Sequence, residues 1–528
     1  MRRRDILRTV TAVPFFGTAI SISARDKPPK DIVAHILPTV SHERIRLKIS
    51  FHDPATRPPL LEVGSRKVKG IATGTQGYFW SFDIDGLEPA TEYPLKLRSA
   101  KGDALYPCWS LKTFPDPGAT PERFRLLAYT CAGGHDGLPG PSGIPMFIPI
   151  SARRKLLQRG LSFQPDAIVA NGDHVYWDLQ SGRTADFLGQ SAAAKELAGE
   201  FNRDDEVLGT ANETVLKRAV GRQIIDLYGT LLKSTPVFFF QDDHDYFEND
   251  YATAELKTLP PNNFDLSLAR ATQSMYYPEF LPDPQRPCQL PGTGAPDRAP
   301  GLSEVFGTLR YGKLFEGLIY DCRRYLTLTE DDATAIPASA EAWLKQRMTD
   351  TAIDHVVNFP SAPFGWTAGK WAEWYPDVLN EDGQLTVNIE KPFWQKGWRK
   401  QHDRILQAAS SMERLPVFIC GDLHAIADTK IYRYGELDFS NNPIVSVLTG
   451  PLGTGKPGFP SYIRETPPRP PAEMEVEEVL PSTEENGFLI ADFTPEEIHL
   501  RFFKWRPKDG EGAIARLKPF HERRLSRG

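Results

Sequence analysis

The sequence predicts an α/β layer fold preceded by a small all-β unit, and three observations carry that prediction. From Arg123 onward, apolar runs of strand length alternate with helical patterns. Three of those runs, at 167–170, 237–240 and 417–420, each stop at a polar cluster: Gly172-Asp173-His174-Val175-Tyr176, Asp242-Asp243-His244-Asp245, and Gly421-Asp422-Leu423-His424. Residues 31 to about 115, by contrast, show period-two alternation and turn signals.

In the all-β unit, residues 44–49 alternate polar and apolar, and 78–82 form a second strand candidate. Leu87, Pro89 and Tyr93, followed by the run 95–97, resemble the E–F corner of a fibronectin type III sandwich, where the tyrosine hydroxyl bonds back to the chain. Pro115-Asp116-Pro117-Gly118 marks a boundary. Beyond it, strands are expected at 124–129, 167–170, 237–240, 318–321, 355–358, 417–420 and 444–448, with helices at 341–348 and 402–412. The connections 179–234 and 250–310 exceed ordinary loop length and are expected to carry helices that cover the polar edge. Residues 487–493 and 498–505 read as two edge strands, and the Pro- and Glu-rich stretch 467–481 as a surface loop. The expected division is an export signal at 1–24, a fibronectin III/Ig-like sandwich at 31–116, an α/β domain at 122–510 and a tail at 511–528.

With 62 basic and 68 acidic residues the net charge is −6, and no basic run points to nucleic acid. Five cysteines form no disulfide framework. Arg2-Arg3-Arg4, an apolar stretch from about Val10 to Ile22, and the small residues Ser21, Ser23 and Ala24 read as a twin-arginine signal. The apolar stretch is shorter than the roughly 20 residues that span a bilayer. The expected destination is the periplasm, the extracellular space or the cell surface, with no transmembrane span in the mature chain.

Acids and histidines at the ends of successive buried strands converge on one sheet edge, where open α/β sheets bind ligands. Carboxylates packed there repel, and burying them unpaired is costly. A metal centre explains the arrangement. Two ions would clamp a phosphoryl group and activate a bridging water, with Asp173 the natural bridging carboxylate.

The order Cys131, Gly172-Asp173-x-x-Tyr176, Asp242-Asp243-His244-Asp245 and Gly421-Asp422-x-His424 resembles the alkaline phosphatase D (PhoD-like) branch of the calcineurin-like metallophosphoesterases. Residues 305–312 leading into Asp321-Cys322-Arg323 are similar to that family's strand ending in Asp-x-Arg. The resemblance implies a four-layer α/β/β/α sandwich with a dinuclear centre. It implies Cys131, Asp173, Tyr176, Asp243, Asp422 and His424 as metal ligands and His244 as the acid for the leaving oxygen. Fe(III) with Ca(II) is the implied pair, with Zn, Mn or Mg as alternatives. His174, Asn249 and Arg323 are candidates for substrate binding. Three positions depart from the family's usual pattern: His174 after Gly-Asp, Gln241 before Asp-Asp-His, and Asp245 in place of glutamate.

The reaction so implied is hydrolysis of phosphate monoesters or diesters of small molecules, lipids or polymers. Its rivals are a non-catalytic surface-binding protein with the same fold, and hydrolysis of a non-phosphate ester at the same metals. Gly450-Pro451-Leu452-Gly453-Thr454-Gly455-Lys456 mimics the start of a Walker A loop, but Pro457 replaces the required hydroxyl residue. No Gly-x-Ser-x-Gly elbow is present. Arg310, Arg323 and Arg324 suit either a phosphate clamp or structural ion pairs.

Overall fold

The structure, a computed structural model, describes residues 32–136, 144–177, 190–247, 250–281 and 303–527. The signal segment and Asn249 lie outside the described residues.

Two large sheets stack face to face. In the first, Phe124–Thr130, Ala167–Asn171 and Val237–Phe240 run parallel, and Asn486–Phe493, Glu497–Trp505 and His521–Ser526 continue the sheet antiparallel. In the second, Phe315–Tyr320, His355–Pro360, Val417–Cys420 and Ile444–Thr449 run parallel, flanked by antiparallel Phe306–Tyr311 and Ile426–Tyr434. Strand alternation assigns the layers. Leu126, Ala128, Val169 and Phe240 meet Val357, Phe359, Ile419 and Val447 between the sheets. Their neighbours Leu127, Tyr129, Ile168 and Phe239 point outward, onto the helices Ile150–Leu161 and Ala211–Val220. On the far side, Leu318, Tyr320, Phe418 and Leu448 pack under Ala338–Met348 and Lys396–Ser410. The result is the four-layer α/β/β/α sandwich.

The all-β region in front of it is a sandwich of two four-stranded sheets. One holds Val33–Val40, Ile45–Phe51, Phe79–Ile84 and Ile71–Ala72; the other Arg66–Lys69, Leu60–Val63, Glu92–Arg98 and Trp109–Lys112. The tyrosine corner is present: the Tyr93 hydroxyl accepts from the Glu88 backbone N–H at 2.7 Å.

Two stretches differ from the sequence expectation. Residues 486–493 and 497–505 are not edges, because His521–Ser526, expected to be tail, pairs along Glu497–Trp505. The Pro- and Glu-rich stretch runs into the ten-residue strand Met474–Thr483, which pairs with Ile426–Tyr434 through register shifts. Charged side chains and irregular register suit a strand with an open edge, and the same features hide it from a hydrophobic pattern. The long connections do carry helices: Gln190–Ala198, Ala211–Val220 with its π-helical extension Gly221–Ile225, and Asn263–Tyr276.

The β-sandwich is bonded onto the α/β layers. The buried Lys48 ammonium donates to Ser274 O at 2.7 Å and Glu279 Oε1 at 2.9 Å. His35 is fully buried between Ser50 and the Tyr276 carbonyl, and burial lowers its pKa to about 4. A neutral buried histidine loses stability as the unfolded chain gains its proton. The contribution is therefore present above the unfolded value near 6.5 and disappears as pH falls toward 4. It amounts to about 3 kcal/mol at one to two pH units above that window. Urea unfolding at pH 7 and pH 5 should show a smaller pH-dependent loss in His35→Gln than in the native chain; equal losses would place the titrating group elsewhere.

Candidate metal centre

The site lies at the seam where the carboxyl-terminal edges of the two sheets meet. Asp422 N donates to Thr130 Oγ1, and Gly421 packs so tightly that a Cβ there would stand 2.5 Å from the same hydroxyl. Cys131 N bonds Gly172 O, and Gly133 N bonds Asp173 O. Four of the residues expected as ligands take positive φ: Cys131 (49°), Asp173 (56°), Asp422 (63°) and His424 (50°). Non-glycine residues rarely adopt that conformation, and it concentrates at functional sites. Here the chain turns sharply one to four residues after each strand ends and swings a donor into the seam.

The donors form three overlapping groups: Cys131, Asp173 and His424; Asp173, Asp243 and His244; and Asp242, Asp243 and Asp422. In the first, Asp173 Oδ2 lies 3.2 Å from Cys131 Sγ, 3.3 Å from the Tyr176 hydroxyl and 3.8 Å from His424 Nε2. The Tyr176 hydroxyl lies 3.1 Å from His424 Nε2. Ligands about 2.0–2.3 Å from one ion stand roughly this far apart. Gly458 O takes the other ring nitrogen of His424, Nδ1, at 2.8 Å, which fixes the ring and leaves Nε2 facing the cluster. Burial first, then Asp173 among its neighbours, pushes the Cys131 thiol well above its ordinary pKa; burial and Cys131 do the same to Tyr176. A cation bound among them would favour the thiolate and phenolate that burial opposes. Asp173 Oδ1 is buried with no hydrogen-bond donor among the described residues. The donor set therefore fits a metal ion.

His244 packs against Tyr176 with the rings tilted by 38° and their centroids 4.2 Å apart, beside the Asp173 and Asp243 carboxylates. It is nine per cent exposed, while Asp173 and Asp243 are fully buried.

The third group is closed by side chains that the sequence did not single out together. Lys370 Nζ lies 2.7 Å from Asp422 Oδ1, 2.9 Å from Asp243 Oδ2 and 3.2 Å from Asp250 Oδ2. Arg323 is fully buried; its Nε donates to Asp242 Oδ1 at 2.6 Å, and its two terminal nitrogens to Asp422 Oδ2 and to Ala372 O, each at 2.9 Å. Both oxygens of Asp422 thus face a cationic side chain. Burial would raise the Asp243 carboxyl, but Lys370, His244 and Arg323 hold it well below the usual range. Asp250 goes the other way: burial dominates and pushes it up to about 7.

Arg323 therefore spends its guanidinium inside the protein. Arg324 pairs with Glu304 and Arg310 with Glu316, so the three arginines considered as a phosphate clamp all stand in ion pairs. His174 is buried against Phe239 and Tyr277 and bonds Phe240 O, with its pKa lowered by burial to about 4. The Walker-like loop is a lining element: Gly453 N bonds Cys131 O at 2.8 Å, a Cβ on Gly453 would stand 2.5 Å from Gly133 O, and the Thr454 hydroxyl reaches Tyr176.

Two further supports have roles that the sequence did not reveal. Gln223, in the π-helical turn, accepts from the backbone N–H of both Gly134 and Tyr176 and so ties two ligand loops together. The Asp245 carboxylate accepts from the backbone N–H groups of Asp173, His174, Val175 and Asp242 at 2.8–3.1 Å. Asp245→Ala would leave four buried donors without their acceptor. At about 1–3 kcal/mol for each unmet group, a loss of at least ~3 kcal/mol is expected in urea unfolding, together with reduced metal content. Unchanged stability would show that the loop does not depend on this carboxylate.

The profile of the PhoD-like phosphatase family matches residues 150–502, more than half of the chain. That span contains every proposed ligand except Cys131. Among solved structures, one described as PhoD is similar at 13% identity, covering 89% of this chain and 86% of its own, with a TM-score of 0.57. The purple acid phosphatase PPD1 from seeds of yellow lupin (Lupinus luteus) is similar at 12% identity, covering 93% and 74%, with a TM-score of 0.52. No curated protein matches the sequence. The fold is shared with both solved structures, and the donor set could hold a metal ion. The chain belongs to the PhoD-like phosphatase family.

Proposed function

We propose that this protein is an exported metal-dependent phosphoesterase that uses Cys131, Asp173, Tyr176 and His424 to hold a metal ion and His244 to protonate the leaving oxygen. Membership of a phosphatase family supports the reaction class. The observation that carries the site assignment is the convergence of thiol, carboxylate, phenol and imidazole around Asp173 Oδ2. A bound ion supplies positive charge for the phosphoryl oxygens and lowers the pKa of water.

The chain's own residues supply the rest. Asp173, shared between two donor groups, sets the spacing between the ion and His244. His244 packs against the Tyr176 ring and is less deeply buried than Asp173 and Asp243. In hydrolysis, water attacks phosphorus in line, the bond to the ester oxygen breaks, and the His244 proton passes to that oxygen. The buried sides of the seam, closed by Cys131, Asp242 and Arg323, keep bulk water from the other carboxylates.

His244→Ala should reduce turnover of alkyl phosphates by ~10²–10⁴-fold while sparing activated aryl esters, since an acid matters most for a basic leaving group. Parallel losses on both substrates would assign His244 to binding instead.

Iron in the Cys131–Tyr176 pocket is the finer proposal, supported by the family resemblance and the soft and phenolic donors. A phenolate on iron(III) absorbs visible light, so the purified protein should be coloured and Tyr176→Phe should bleach it without changing the fold. A colourless native protein that contains zinc or manganese would remove the iron assignment. Among the described residues no helix is long and apolar enough to cross a membrane. The export proposal draws on Arg2, Arg3 and Arg4 and the apolar stretch after them.

A further inference from the structure

We propose that Lys370 is a resident second cation: its ammonium stands among Asp243, Asp250 and Asp422, so the chain binds one metal ion, at Cys131, Asp173, Tyr176 and His424, and not two. The inference rests on the reading of that first pocket as a metal site.

The geometry is that of a filled position. Three carboxylates from two separate chain segments lie within 3.2 Å of one nitrogen. The neighbouring guanidinium of Arg323 takes the remaining oxygen of Asp422 and one oxygen of Asp242. A divalent ion using Asp422 would have to displace one cation or the other. The displaced ammonium would then be stranded, because Lys370 is almost wholly buried and Arg323 entirely so. An unpaired buried charge is among the most destabilising arrangements a protein can hold.

Lys370 also has little freedom to leave. Its loop follows the strand His355–Pro360 and is built as a closed turn. The Glu373 carboxylate accepts from the Thr367 hydroxyl and the Ala368 N–H, and Gly369 N donates to Thr367 Oγ1 across a positive φ of 76°. The flanking Trp371 and Trp374 are packed into the core of the outer layer. Ala372 O, in the same loop, accepts from Arg323 and joins the two cations into one unit. The first pocket shows the opposite pattern: Asp173 Oδ1 is orphaned, and no lysine or arginine forms an ion pair with Asp173 among the described residues.

A tethered ammonium carries one charge where a second metal would carry two, and it cannot be lost to a chelator. Its location beside Asp243, which shares a donor group with Asp173 and His244, places that charge next to the reaction position.

The test is the metal count of the purified full-length protein, by elemental mass spectrometry after incubation with millimolar CaCl2 or MnCl2 and gel filtration. The native chain should retain one ion. Lys370→Ala and Lys370→Met should each retain a second, because three carboxylates are then left without their cation. Two ions on the native chain, or none, would overturn the proposal, and so would a folded Lys370→Ala that still holds one. Should neither variant fold, the native count alone decides. Turnover of p-nitrophenyl phosphate and bis(p-nitrophenyl) phosphate is read separately. One ion without turnover upholds the Lys370 assignment and removes the phosphoesterase reading; two ions with turnover does the reverse.

Discussion

Everything in the site follows from the need to bury aspartates together. Asp173, Asp242, Asp243, Asp250 and Asp422 are all nearly or fully buried at one seam. In water such groups would repel weakly; in a low-dielectric interior the repulsion and the lost hydration are both large. The fold meets this demand in two different ways within a few ångströms. On one side it supplies Arg323 and Lys370, rigidly held and already paired. On the other it leaves an oxygen of Asp173 without a donor, next to a thiol and a phenol whose ionisation burial opposes. The first arrangement is paired within the protein, whereas the second has an acceptor left over that a bound cation would meet.

This division also explains the backbone. A residue at positive φ just beyond a strand stores local strain, and three of the ten non-glycine residues with positive φ among the described residues are ligands of the proposed ion, with Asp422 a fourth at the same seam. The strain is held by side chains that bond the loop backbone: Asp245 to the Asp173 turn, Gln223 to the Gly134 and Tyr176 turns, and Thr130 to Asp422. Rigid positioning is useful in catalysis because donors that are already aimed need no reorganisation when charge develops. The same rigidity extends to the N-terminal sandwich, whose Lys48 and His35 lock onto the end of the helix Asn263–Tyr276.

What the sequence revealed, and what it concealed, divides along the same physical line. Strands such as Val237–Phe240 and Val417–Cys420 are fully buried, so their apolar runs mark both ends without error, and the residues that follow them are the site. Met474–Thr483 is half-exposed and charged, and His521–Ser526 alternates charge with little apolar content, so neither carries the signal of a buried strand. The ligands are visible because each sits beside its strand. Lys370 is not: 52 residues separate it from Asp422 and 127 from Asp243, and a lysine between Gly369 and Trp371 reads as ordinary loop. Asp245 was visible as a departure from glutamate, but its work of gathering four backbone N–H groups depends on a turn that only the folded chain defines.

The pairing of a fixed ammonium with an open metal pocket bears on how such a centre meets its substrate. A phosphoester brings negative charge to a seam already dense with carboxylates, so it can approach only where positive charge exceeds negative. Arg323 is consumed by Asp242 and Asp422 and lies too deep to offer a donor. His424, the more exposed histidine of the cluster, and His244, nine per cent exposed, are more accessible than the carboxylates beside them. On the proposed assignment, the attraction for phosphate would come from an ion held by Cys131, Asp173, Tyr176 and His424 together with His244, while Lys370 and Arg323 would cancel charge behind them. On that view the two buried cations are not substrate contacts. They remove the repulsion that would otherwise keep an anionic ester from the metal.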